Sequence, residues 1–394
     1  MTVLSTRVLN RTYLRRQFLA GRTSRKAGDV VEHLVALQGQ ESDSPYLQLW
    51  ARSADFRRDD LTALLHDRSV VRSGLLRGTQ HLCTGADYRW LRPTLQPALE
   101  KMAGRAGRLT GCDPVVFTEA GHEIIRAATR GSAGDAATRG SAGDAATRGS
   151  AGDAAIRESA GAAGSRAVLT RAEIARRLAA RFPEAEFGDL ALVVHLRFAL
   201  LHPPPAGTWG HRGRVGCVLA EDWLGGTLAA ADREALVLRY LAAFGPASVK
   251  DVQTWSGLTR LAGLLSDLRP RLRVFRDEKG VELYDLPDAP IEDADAPAPV
   301  VFLPEFDNAV LGHADRDRII HPGDRSLVTP GWSIVRPTVL VDGFVAATWS
   351  RAGETLSVTA FRPLAPGVRA AIEEEGARLM AFVSPGGRHE VRWE

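Results

Sequence analysis

The recurring order of predicted elements is the feature that most constrains this fold. Within residues 228–298, three predicted helices and a predicted β-hairpin follow one another, at 232–244, 248–257, 258–268 and 271–286. Ser248 is a typical N-cap residue, and Ser256-Gly257 supplies a turn between the second and third helices. Three helices followed by a hairpin is the order of a winged helix-turn-helix unit, so this segment predicts one such unit.

The same order is predicted twice more, upstream. Residues 1–110 predict helices and then a hairpin, at 8–19, 28–40, 59–70 and 70–84. Residues 111–227 do the same, at 117–130, 169–182, 189–202 and 208–224. In the latter set, Thr170 and Glu173 have the spacing of a capping box.

From residue 299 the pattern changes to strands. Asp342-Gly343 is a two-residue hairpin signal, and a helix over 366–383 precedes a last strand. The prediction is therefore an α+β fold with three tandem winged helix-turn-helix units that form a concave basic DNA-binding surface, followed by a β-rich carboxy-terminal region. The predicted boundaries are 1–110, 111–227, 228–298 and 299–394.

A nonapeptide array interrupts the second unit. ATRGSAGDA occurs three times from residue 128, and a degenerate fourth copy ends at residue 163. No copy of ATRGSAGDA offers an apolar side chain larger than alanine, so the array cannot bury enough surface to offset the entropy of ordering it. We predict that 128–163 is a flexible insert in the loop after a helix.

Charge is distributed unevenly along the chain. Residues 1–110 hold 18 Arg and Lys against 10 Asp and Glu, whereas 277–317 is strongly acidic. A basic amino-terminal third suits a polyanion, although solvated surface charge would give the same composition. The three cysteines lie far apart, and there is neither a signal-peptide pattern nor an apolar run long enough for a membrane span, so we expect a cytoplasmic protein without a metal site.

Gln38 and Gln40 lie at the end of the predicted helix 28–40. On a helix, side chains two residues apart point about 200° apart, but on an extended segment they share a face. The two amides can therefore act together only if the helix ends near Leu37. Two helix-terminal amides without a chemical role would give the same Gln-x-Gln pattern.

Several runs of the chain make a more specific pattern together. In order they are NRTYLRRQFLAGR, VVEHLVALQGQESDSPYLQLWARS, LLRGTQHLCTGADYRWLRP, YLAAFGPASVKDVQTWSGL, ELYDLPDAP and FLPEFDNAVLGHADRDRII. From about residue 5 to about residue 360 the chain resembles the winged-helix DNA glycosylases that unhook interstrand crosslinks. One branch, from azinomycin-producing streptomycetes, gives self-resistance and has a glutamine pair where other bacterial relatives have Gln then Asp.

The resemblance implies that Gln38 and Gln40 are the catalytic residues. Residue 39 is typically aliphatic in that branch and is Gly39 here, which is expected to loosen the backbone. The resemblance also implies cleavage of the glycosidic bond of N7-alkylated purines in crosslinked duplex DNA, by a monomer that needs no cofactor and no protein partner.

Further expectations concern lysine and the DNA-contacting side chains. The chain has four lysines, none in a recognisable pocket motif, so we expect a monofunctional enzyme that forms no Schiff base. Four predicted hairpin residues are candidates for contacts to duplex DNA, mainly to phosphates: Arg77, His211, Arg212 and Arg214.

The sequence is also compatible with two other classes of function. A chain of winged-helix units is more often a transcriptional regulator than an enzyme. A metal-dependent nuclease would use a run of acidic and histidine side chains: Asp307, His313, Asp315, Asp317 and His321. The alternative for that run is a charged loop in which Arg316 and Arg318 neutralise the aspartates.

Overall fold

The computed structural model describes residues 2–104, 109–138, 168–331 and 334–394, without the side chains of 131–138. The chain is an α+β protein, as predicted. Its helices are α1 (Thr6–Arg16), α2 (Ala27–His33), α3 (Ser44–Arg52), α4 (Arg58–His66), α5 (Gly85–Ala103), α6 (Pro114–Thr138), α7 (Arg171–Arg181), α8 (Leu190–Arg197), α9 (Ala220–Leu224), α10 (Arg233–Phe244), α11 (Val249–Ser256), α12 (Ala262–Leu268), α13 (Asn308–Leu311), α14 (Arg325–Val328) and α15 (Pro366–Val383).

The strands are short in the first two thirds of the chain and longer near its end. They are β1 (Val3–Leu4), β2 (Leu37–Gln38), β3 (Val70–Gly74), β4 (Gln80–Thr84), β5 (Leu109–Thr110), β6 (Glu186–Phe187), β7 (Leu200–Leu201), β8 (Val218–Leu219), β9 (Arg273–Asp277), β10 (Glu282–Asp285), β11 (Val301–Leu303), β12 (Thr338–Val341), β13 (Phe344–Ala352), β14 (Thr355–Ala360) and β15 (Glu390–Trp393).

The chain divides into two compact units. The major unit comprises Met1–Ala98, Gly207–Arg212 and Ala229–Glu394, and the minor unit comprises Leu99–Ala206 and Gly213–Leu228. The division into winged-helix units at the predicted boundaries stays a prediction.

Three sets of paired strands organise the major unit. β9 and β10 form the predicted hairpin over 271–286, and β1 pairs in parallel with β9. β4 lies between β2 and β3 and is antiparallel to both. The carboxy-terminal sheet has the order β11-β12-β13-β14-β15, with β15 parallel to β14.

The predicted turn at Asp342-Gly343 joins β12 to β13. Both residues have positive φ, 48° at Asp342 and 79° at Gly343, as a two-residue hairpin turn requires. The helix predicted over 366–383 is α15, and the expected last strand is β15. The β-rich character of this region is therefore confirmed.

The minor unit has its own apolar core. α7 begins where its capping box was predicted, with Thr170 and Glu173 each accepting a hydrogen bond from the other's backbone N–H. Phe117 of α6, Ile174 and Leu178 of α7, and Val194 of α8 are buried together. The burial of these side chains, rather than helix propensity alone, holds the three helices together.

Several element predictions are wrong in extent. The helix predicted over 258–268 begins at Ala262, and the one predicted over 59–70 ends at His66. The helix predicted over 28–40 ends at His33, because the backbone at Val35 turns to φ 67°, which no helix can continue through. The helix predicted over 189–202 ends at Arg197, and Leu200–Leu201 is strand. Residues 208–224 do not form a hairpin by themselves: β8 pairs with β7, and helix α9 follows it.

α6 continues from the predicted helix through the first nonapeptide copy, to Thr138. The rest of the predicted flexible insert, 139–163, lies outside the described residues. Within the part of the chain that the structure describes, no helix is both long and apolar enough to cross a membrane.

Candidate active site

Gln38 and Gln40 lie in a non-helical segment that follows α2, in which β2 ends at Gln38 and Gln40 lies in a bend. Gln38 is the last residue of β2, opposite His81 of β4, and its side chain is 2% exposed, whereas Gln40 is exposed. Because α2 ends at His33, five residues before Gln38, the two amides do not lie on a helix that would point them apart. Both side chains line the same cavity.

That cavity has a volume of about 890 Å³. Its lining residues are Gln38, Gln40, Arg77, Thr79, Phe306, Leu311, Arg316, Thr329, Gly331, Ile334 and Val335. Among these described residues there is no carboxylate, histidine or lysine. The groups that can act on a ligand there are therefore amides, hydroxyls and guanidinium groups.

The orientation of both amides is fixed by backbone donors. The N–H of Gln40 donates to Oε1 of Gln38 at 3.0 Å, and the N–H of Gln80 donates to Oε1 of Gln40 at 3.4 Å. Only the oxygen end of a carboxamide can accept these bonds, and it keeps a second lone pair. Each amide can therefore still accept one hydrogen bond and donate through Nε2.

Gly39 is held at both its amide and its carbonyl. Its N–H donates to the carbonyl of Gln80 at 2.8 Å, and its carbonyl accepts from Nε and Nη2 of Arg72 at 3.2 and 3.1 Å. Nε2 of Gln48 donates to the carbonyl of Gln38 at 2.7 Å. The glycine therefore does not leave the segment unsupported, contrary to the expectation of a loosened backbone.

Position 39 suits glycine because a side chain there would contact its neighbours too closely, and not because of the backbone conformation. A Cβ there would lie 2.6 Å from Cδ1 of Leu82 and 3.3 Å from Cγ of Pro45. We expect Gly39→Ala to cost about 1–3 kcal/mol, the usual cost of overpacking a tight site, and Leu82→Val in the same chain to recover part of it. Urea unfolding measures both.

Gly323→Ala is the matched control, because a Cβ at Gly323 meets nothing within 4 Å. An unchanged unfolding midpoint for Gly39→Ala, equal to that of the control, would contradict this account of the packing.

A buried polar cluster lies behind the segment. Arg52 and Asp307 are fully buried and form two hydrogen bonds, Nη2 to Oδ1 at 2.7 Å and Nη1 to Oδ2 at 2.9 Å. Nη1 of Arg52 also donates to the carbonyl of Gln48, and Asn308 donates to the carbonyl of Ala36. The ion pair thus joins the carboxy-terminal region to the backbone on either side of β2.

Two arginines line the cavity beside the glutamines. Arg77 lies in the β3–β4 connection with φ 53°, and its Nη1 donates to the carbonyl of Trp255 at 2.7 Å. Burial, and then the charge of Arg316, lower the pKa of Arg77 to about 10. Burial and the charge of Arg325 lower the pKa of Arg316.

The other predicted DNA contacts lie elsewhere. Arg212 is exposed and pairs with Asp43 at 2.8 Å in the major unit, where the neighbouring His211 is half-buried. Arg214 pairs with Glu173 in the minor unit. Of the four predicted contact residues, the structure places Arg77 in the cavity with the glutamine pair.

The Asp/His run is divided among separate partners. Asp307 pairs with Arg52, Nε2 of His313 bonds with the carbonyl of Phe244, and the ring of His321 stacks on Phe344. Burial lowers the pKa of His313 to about 3. No group of three or more potential metal ligands occurs among the described residues.

The expected neutralisation of the aspartates by Arg316 and Arg318 is wrong. Asp315 and Asp317 pair instead with Lys279 and Arg325. Nη1 of Arg318 donates to the carbonyl of Pro246, and Arg316 is directed to the cavity. Sequence proximity favoured the wrong cations because the true partners come from the β9–β10 turn and from α14.

Two further side chains at the site were not predicted. Arg72 lies on β3 among buried residues, and a buried arginine in a strand needs an acceptor, which here is the backbone at Gly39. An arginine within a predicted strand could have been recognised from the sequence as a residue that needs a partner. Arg316 was not predicted to line the cavity because its acidic neighbours in the sequence suggested that it pairs with them.

The described residues that line this cavity combine two amides and two arginines with no carboxylate, a set suited to an anionic ligand. A family model described as "DNA glycosylase AlkZ-like" matches residues 31–382. The chain belongs to this family of DNA glycosylases, which confirms the family indicated by its sequence motifs.

A protein sequence and a solved structure from Streptomyces sahachiroi are similar to the chain. A curated protein described as "Interstrand DNA cross-link repair glycosylase" is 26% identical over 397 residues, 93% of each chain. A solved structure, "Streptomyces sahachiroi DNA glycosylase AlkZ", matches with a TM-score of 0.74 at 22% identity and covers 100% of both chains. The structural match shows a shared fold.

Proposed function

We propose that the protein is a monofunctional DNA glycosylase that hydrolyses the glycosidic bond of N7-alkylated purines. It would thereby unhook interstrand crosslinks made by bifunctional alkylators such as azinomycin, for DNA repair and self-resistance. The observation that carries this proposal is that Gln38 and Gln40 share one cavity with no carboxylate among its described lining residues. The similarity to an interstrand DNA cross-link repair glycosylase supports the same substrate class.

The chemistry suits amides because the substrate is already activated. An N7-alkylated guanine is cationic, so the bond between C1′ and N9 breaks with its electron pair going to the base, which leaves neutral. Water oxygen then bonds to C1′ and releases its proton to solvent. An amide cannot accept that proton as a general base, but it can position the water and stabilise charge at C1′.

The proposal includes the absence of lyase activity. A glycosylase with lyase activity attacks C1′ through an amine and forms a Schiff base. The described lining residues of the cavity include no lysine. The enzyme would therefore leave an intact abasic site.

In this proposal, the three predicted winged-helix units form the scaffold that binds duplex DNA. Arg77, His211, Arg212 and Arg214 are its candidate contacts to phosphates. A monomer with no cofactor would suffice, acting in the cytoplasm on the nucleoid. A transcriptional regulator would instead prefer one DNA sequence and would not need the amide cavity.

A product assay tests the proposal. Incubation of the protein and EDTA with a duplex containing one N7-methylguanine should release the free base and leave a site that breaks only after alkali. Base release without metal distinguishes the glycosylase from the nuclease alternative that uses Asp307, His313, Asp315, Asp317 and His321. Absence of base release, or a covalent adduct trapped by borohydride, would contradict the proposed reaction.

A further inference from the structure

Arg77 and Arg316 bring two positive charges into one cavity, and no acidic side chain is among the described residues that line it. Arg77 comes from the β3–β4 connection and Arg316 from the segment after α13, and both line the cavity that contains Gln38 and Gln40. Each is half-buried, and neither forms an ion pair with any acidic side chain within the described ranges. The field of Arg316 lowers the pKa of Arg77, so the two charges repel each other.

The acidic side chains next to Arg316 are engaged elsewhere. Asp315 binds Lys279 and Arg325, and Asp317 binds the same two cations. Arg316 therefore lies between two neutralised aspartates and forms no ion pair of its own with the described residues. Two half-buried like charges are costly unless an anion joins them, so the arrangement is suited to binding an anion.

The N7-alkylated base is cationic while it is attached to the sugar, so these arginines would repel it and it cannot be their ligand. The nearest anions in the proposed substrate are the backbone phosphates on either side of the damaged nucleotide. A guanidinium group can bind a phosphate through two parallel hydrogen bonds, and two such groups can hold it from two directions.

We propose that Arg77 and Arg316 together bind one phosphodiester of the damaged strand, adjacent to the nucleotide under attack. Bound there, the phosphate holds C1′ over Gln38 and Gln40 and offsets one of the two positive charges, so that the cation formed at C1′ meets less repulsion. This inference rests on the proposed function. It makes both arginines positioning residues, and it adds Arg316 to the one cavity arginine expected from the sequence.

A methylphosphonate scan tests the proposal. Duplexes carry a stable abasic-site analogue and one neutral methylphosphonate, moved through the phosphates around that site. For the wild-type protein, one position next to the site should weaken binding about tenfold, the usual effect of losing a charge-assisted contact. R316Q and R77Q should bind the unmodified duplex about tenfold more weakly and lose their sensitivity at that same position.

R269Q is the matched control, since it also removes one positive charge. Arg269 is exposed, pairs with Glu282 and does not line the cavity. This variant should keep the wild-type scan. The slope of log affinity against log salt concentration should fall by about 0.9 when both cavity arginines are removed, because they share one phosphate. Loss of methylphosphonate sensitivity in R269Q as well would contradict the assignment.

Two outcomes separate this inference from the proposed function. If wild type excises N7-methylguanine but R316Q keeps the full methylphosphonate sensitivity, the phosphate assignment is wrong and the glycosylase stands. If the methylphosphonate scan gives the expected result but wild type excises nothing, the phosphate assignment is supported and the proposed reaction is wrong. Inorganic phosphate that binds wild type but not R316Q, with a flat scan, would show a free-phosphate site and overturn the proposal.

Discussion

Replacing Gln38 and Gln40 together by alanine should lower the single-turnover rate of N7-methylguanine excision by at least about 10²-fold, the effect of losing one well-placed polar group in an active site. The two amides have fixed orientations and share one cavity. Their loss removes the groups proposed to position the water. Binding to the abasic duplex should change little, because the proposed phosphate contacts come from arginines.

Gln253→Ala is the control for removing an amide. Oε1 of Gln253 accepts from the N–H of Leu261, away from the cavity. Its excision rate should equal that of wild type.

Because amides do not titrate, the wild-type rate of excision should be flat between about pH 6 and pH 8. A sigmoidal dependence on one group in that range would indicate a general base that this account lacks.

Asp307→Ala should destabilise the protein by about 3–5 kcal/mol, since it leaves the fully buried Arg52 without its counter-ion. Both side chains are 0% exposed and are joined by two hydrogen bonds. Arg52 also supports Gln48, which holds the carbonyl of Gln38. Excision should therefore fall even at temperatures where the variant is folded. Urea unfolding and the excision rate measure the two effects.

Glu390→Ala is the control for this ion pair, because Glu390 and Arg392 are both exposed. Its effect should be within about 1 kcal/mol. Replacing Arg52 and Asp307 together by Met and Leu should be less destabilising than Asp307→Ala, because no buried charge then remains unpaired. A loss for Asp307→Ala as small as that for Glu390→Ala would contradict the energetic role of the buried pair.

Local signals predicted the elements well. Ser248 forms the capping box of α11 with Asp251, and Thr170 forms that of α7 with Glu173. Asp342-Gly343 makes the predicted hairpin turn. Each of these depends on residues within a few positions of one another, which a sequence displays directly. The end of α2 was missed because no glycine or proline marks it; a valine takes the positive φ.

The assembly of the site depended on contacts that no local pattern carries. The cavity combines residues 38–79 with residues 306–335, and Asp307 binds Arg52 across 255 positions. The acidic run around Arg316 predicted pairing with its neighbours, but Lys279 and Arg325 are closer in space. Gln38 and Gln40 were identifiable by family resemblance, whereas their shared cavity required the fold.

We expect the protein to unhook crosslinked DNA in the cavity that contains Gln38 and Gln40. The most direct measurement uses a duplex with one crosslink between N7 atoms of guanines on opposite strands, incubated with protein and resolved on a denaturing gel. Wild type should convert the slow crosslinked band to single strands, and the Gln38→Ala/Gln40→Ala variant should leave it unchanged. Unhooking by the double variant at the wild-type rate would contradict the account.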